Sequence, residues 1–124
     1  MTINPARLKA ALQTTREALL AERNEQGHWT GELSSSALAT ATAVVALQLV
    51  QRETGAIHQG IIDGGLGWLA ANANEDGGWG DSIKSISNIS TTTLCWAAFS
   101  AVPEAEEKHL ATVKAANAWL TRET

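Results

Sequence analysis

Few side chains in this sequence are equipped for chemistry. There are three aspartates (Asp63, Asp76, Asp81), three histidines (His28, His58, His109) and one cysteine, Cys95. The histidines lack the spacing of metal ligands, so no metal and no cofactor is expected. Glu75, Asp76 and Asp81 are close enough to suggest a carboxylate pair or a calcium loop. They flank Gly77-Gly78, however, and Asn-Glu-Asp-Gly-Gly is the composition of a turn. Cys95 stands in TTTLCWAAF, among apolar neighbours. A nucleophilic thiol needs a base and a low pKa, so this one reads as a buried thiol.

The elements that position these residues are set by a repeat. Asn24-Glu25-Gln26-Gly27-His28-Trp29 aligns with Asn74-Glu75-Asp76-Gly77-Gly78-Trp79, 50 residues on. Trp68, in GWLAAN, and Trp119, in AWLTRE, are 51 residues apart. The same step predicts another turn tryptophan near position 130, past Thr124. A period near 50 with helical content signals stacked helix pairs.

Each unit reads helix, Gly-Trp turn, helix. The first helix is expected at about 5–23, capped by Asn4 with Pro5 in its first turn, and Leu8, Ala11, Leu12, Thr15 and Leu19 on one stripe. A second, at about 35–52, has no charged face through most of its length and is expected to be buried on all sides. The third, about 56–73, is again amphipathic. Its Gly60, Gly64 and Gly67 share a face and predict close approach of a neighbouring helix. A fourth, about 88–101, is of the buried type. The fifth opens at Pro103 with Glu104, Glu106 and Glu107 in its first turn and Leu110, Val113 and Leu120 as its buried stripe. Buried inner helices alternating with amphipathic outer ones make an all-α, α/α-toroid (α/α-barrel) architecture. The chain divides into repeat one (4–53), repeat two (54–102) and the start of repeat three (103–124): an incomplete barrel within 1–124.

The turn explains its own tryptophan. Gly77 and Gly78 can adopt φ > 0, which lets the chain reverse after the outer helix. Trp79 can then fold back over that helix and staple successive pairs. Gly27, Trp29, Trp68, Gly77, Gly78 and Trp79 are thus structural turn residues. The Ser/Thr runs that open both inner helices have two readings. Ser35, Ser36 and Asn88 can cap helices, and the threonines can bond to earlier carbonyls. Alternatively these helix ends line a cavity, with Thr40, Asn88, Trp96 and Phe99 as its candidate residues.

Composition narrows the class. A formal charge of −4 and the lack of any Lys/Arg cluster argue against nucleic acid. A single cysteine permits no internal disulfide and suits a reducing, cytoplasmic compartment. The start of the chain lacks a signal-peptide core. The longest apolar run, 37–50, is too short to span a bilayer.

WLAANANEDGGWGDS resembles the QW motif of the squalene–hopene cyclase and oxidosqualene cyclase superfamily, in Trp68-Leu69 and Gly77-x-Trp79. The usual Gln falls at Asn72 or Ala73. RNEQGHWTGELSSSALATATA resembles the first cyclase repeat. The resemblance covers nearly the whole chain and implies the N-terminal portion of a longer triterpene cyclase. Such an enzyme protonates a linear polyprene from a D-x-D-D acid and closes rings through a cation cascade, without a metal. It implies a hydrophobic polyprene substrate, peripheral contact with the inner membrane face, and the rest of the parent chain or a second copy as partner. None of the three aspartates forms D-x-D-D, so this chain is expected to hold no catalytic residue. The first inner helix has Thr40 and Thr42 where many members have acids. The related protein prenyltransferases hold zinc through Asp-x-Cys, and position 93 before Cys95 is threonine. The alternative reading is a non-catalytic helical-repeat module that binds a prenyl lipid or a partner protein. Either way the isolated chain is expected to associate or to be marginally stable.

Overall fold

The computed structural model describes residues 4–31 and 34–124. Helices connected by turns make up the described residues, and no strand occurs among them. The chain forms two compact units that divide after Leu33.

The first unit is one helix and its turn. Helix α1 spans Pro5–Ala21, and the Asn4 side chain accepts hydrogen bonds from the Ala6 and Arg7 amides at its start. Thr15 donates back to the Ala11 carbonyl. No residue of α1 is buried.

The second unit stacks the remaining helices. Helix α2 is Ala37–Thr54 and α3 is Gln59–Ala71, joined through Gly55 at φ +71°, a left-handed cap. Helix α4, Ile89–Ala101, packs chiefly on α2, and α3 packs chiefly on α2. A single turn, α5 (Ala105–Lys108), leads into α6 (Leu110–Glu123), which packs on α4. The core joins Ala41 and Val44 of α2, Ile62, Leu66 and Leu69 of α3, Trp79, and Cys95, Ala98 and Phe99 of α4. Inner helices α2 and α4 thus alternate with outer helices α3 and α6.

Four expectations need correction. Helix α2 is not buried on all sides: only Ala37, Ala41 and Val44 are, while Leu38, Leu49 and Val50 stay 40–45% exposed. Its packing partners are chiefly α3 and α4. The glycine face of α3 is not a close approach, because a Cβ at Gly60, Gly64 or Gly67 would meet open space. The close approach is at Gly65, where a Cβ would stand 2.6 Å from Val44 Cγ2. The fifth helix is not continuous: Glu104 takes φ +63° and the chain breaks at His109 between α5 and α6. Its buried stripe is Val113, Ala116 and Trp119, with Leu110 50% exposed and Leu120 half-buried. Each three-residue step rotates back by about 60°, which leaves Leu110 on the flank.

Candidate functional site

The two Gly-Trp turns share one backbone design. In the first, the Asn24 amide donates to the His28 carbonyl and the Gly27 amide to the Asn24 carbonyl. In the second, Asn74 donates to Gly78 and Gly77 to Asn74. The left-handed residue is the first glycine of each, Gly27 at φ +84° and Gly77 at +92°. Gly78 does not take positive φ; its role is space. A Cβ there would lie within 3 Å of Ser87 and Thr92, so nothing larger than hydrogen fits. His28 occupies the matching place in the first turn.

Each turn tryptophan reaches back ten residues. Trp79 Nε1 donates to the Leu69 carbonyl at 2.9 Å, and Trp29 Nε1 donates to the Leu19 carbonyl at 2.6 Å. Their surroundings differ. Trp79 is 1% exposed, with its ring 6.3 Å from that of Phe99, which in turn lies 5.3 Å from His109. Trp29 is 47% exposed and carries the Arg23 guanidinium 6.0 Å above its ring. Around the second turn Asp76 gathers three donors. Its Oδ1 accepts from the Gly78 amide and the Ser87 hydroxyl, and its Oδ2 accepts from Trp119 Nε1 at 3.0 Å. The last bond ties the turn to α6. Trp68 is half-buried against the core.

The second Ser/Thr run wires the start of α4. Asn88 caps the helix through the Thr91 amide, and its side-chain amide donates to Asp81. The Thr91 hydroxyl also donates to Asp81, at 2.6 Å. Thr92 is fully buried and its hydroxyl accepts from the Trp79 amide. In the first run Ser36 caps α2 and Thr40 donates to the Ser36 carbonyl. The four cavity candidates stand in different surroundings. Phe99 is buried in the core, Asn88 is a cap, and Thr40 lies in a groove between α2 and α3. Trp96 is half-buried, and its indole N–H has no partner among the described residues.

Asp76, Asp81 and Cys95 are each held in their resting protonation state. Burial raises the Asp76 carboxyl, but hydrogen bonds from Ser87, Gly78 and Trp119, with the Arg122 charge, outweigh it and hold the group below its ordinary 3.8. Hydrogen bonds from Thr91 and then Asn88 hold Asp81 below 3.8 as well. Both are carboxylates at neutral pH and have no proton to give. Burial pushes the Cys95 thiol up to about 12, and its S–H lies 3.7 Å from the Ala37 carbonyl oxygen. It stays a thiol at neutral pH. Among the described residues no three His, Cys, Asp or Glu side chains could hold a metal ion together.

The feature that sequence reasoning missed is a groove between the two inner helices. Ala41, Thr42, Val45, Ala46 and Leu49 of α2 face Leu94 and Ala97 of α4 across about 330 Å³. The lining is almost wholly aliphatic. Its signal in the sequence was Thr42, Val45, Ala46 and Leu49 at helical spacing, hidden because α2 is apolar nearly all round.

The repeat, the helix alternation and the turns agree with one known family. The model of the squalene-hopene cyclase N-terminal domain matches residues 12–123. The chain belongs to this family. The match runs from the middle of α1 to the end of α6, so it includes both Gly-Trp turns. No curated protein and no solved structure matches the chain. Within this squalene-hopene cyclase N-terminal domain, no helix among the described residues is long and apolar enough to cross a membrane.

Proposed function

We propose that the chain is the N-terminal part of a squalene–hopene-cyclase-like triterpene cyclase, which cyclises a linear polyprene through a cation cascade. The observation that carries this reading is the family match over residues 12–123. The α2–α4 groove supports it, because an aliphatic wall excludes water and accepts a hydrocarbon chain. That wall has no aromatic face and no carboxylate. It can shelter a polyprene but does not stabilise a cation. The sequence holds no D-x-D-D segment, so on this reading the proton comes from an acid outside these 124 residues. Such a lipid substrate implies peripheral contact of the whole enzyme with a membrane.

The test is polyprene turnover by the 124-residue chain and by any longer product of the same reading frame that carries D-x-D-D. Cyclised product is expected only from the longer protein, and Leu94→Asp in it should lower the yield. Turnover by the 124 residues alone would overturn the assignment of the acid.

A second reading, a non-catalytic module that binds a prenyl lipid, draws on the same groove and on the absence of D-x-D-D from the sequence. It predicts stoichiometric lipid binding with no product under any complementation.

A further inference from the structure

We draw no further inference here: the strongest candidate, the apolar groove of about 460 Å³ between α2 and α3 lined by Val44, Leu47, Ile61 and Trp68, carries none because nothing in the structure shows what covers it.

Discussion

The two Gly-Trp turns share their backbone and their indole bond and differ in burial. Both close Asn to the fourth residue on, both put the first glycine at positive φ, and both send the indole N–H to a carbonyl ten residues back. Yet Trp79 is buried and Trp29 is half exposed. The turn itself is local and is written in Asn, Gly and Trp. Burial is not local. It is supplied to the second turn by α4 and α6, through Thr92, Phe99, Ala115 and Trp119. In a repeat protein the same motif therefore carries different energy in different repeats.

The largest test of that contrast is deletion of each indole. Trp79→Ala removes a core side chain and should cost about 3–5 kcal/mol, enough to unfold a marginal domain. Trp29→Ala should cost about 1 kcal/mol or less. Urea unfolding followed by far-UV circular dichroism reads both. The glycines come next. Gly77→Ala meets both positive φ and the Ala115 carbonyl, 2.8 Å from the new Cβ. It should cost about 2–4 kcal/mol. Gly27→Ala meets only the Arg23 side chain, which can shift, and should cost about 1–2 kcal/mol from the left-handed backbone.

A pH series separates the turns further. Asp76 and Asp81 have folded pKa values below 3.8, so their contribution is complete above that value and is lost as pH falls below it. The first turn has Gln26 where the second has Asp76. Stability of the second unit should therefore fall on acidification below about pH 4. Asp76→Asn should start less stable at pH 7 and lose less on acidification, as read from urea midpoints. The smallest expected effect is a gain. Gly64→Ala faces open space within α3 and should stabilise by up to about 1 kcal/mol. Its neighbour Gly65→Ala should not, because Val44 would have to move.

These contrasts also show what could be read from sequence. Helices α1 to α4 and both turns were legible because Trp spacing, caps and hydrophobic periods are local signals. Asn4, Ser36 and Asn88 cap the helices they were expected to cap. Which glycine packs closely was not legible. Gly64 and Gly65 are adjacent, and only the position of α2 tells them apart. The Asp76–Trp119 bond joins residues 43 apart and left no periodic trace. Phe99 lies in the core and Asn88 caps α4, and helix composition alone does not say which side of a helix meets the core. The α2–α4 groove was hidden for the same reason.

The exchange of the indole protons tests the central claim most directly. In a 15N-labelled chain the Trp29 and Trp79 Nε1–H signals can be assigned by single substitution to Phe, and their exchange with D2O followed. Both donate to a carbonyl, so the hydrogen bond alone predicts equal protection. Trp79 should exchange only when the second unit unfolds, and Trp29 orders of magnitude faster. Equal rates would contradict this and would mean that the turn, rather than the helices packed on it, holds the tryptophan.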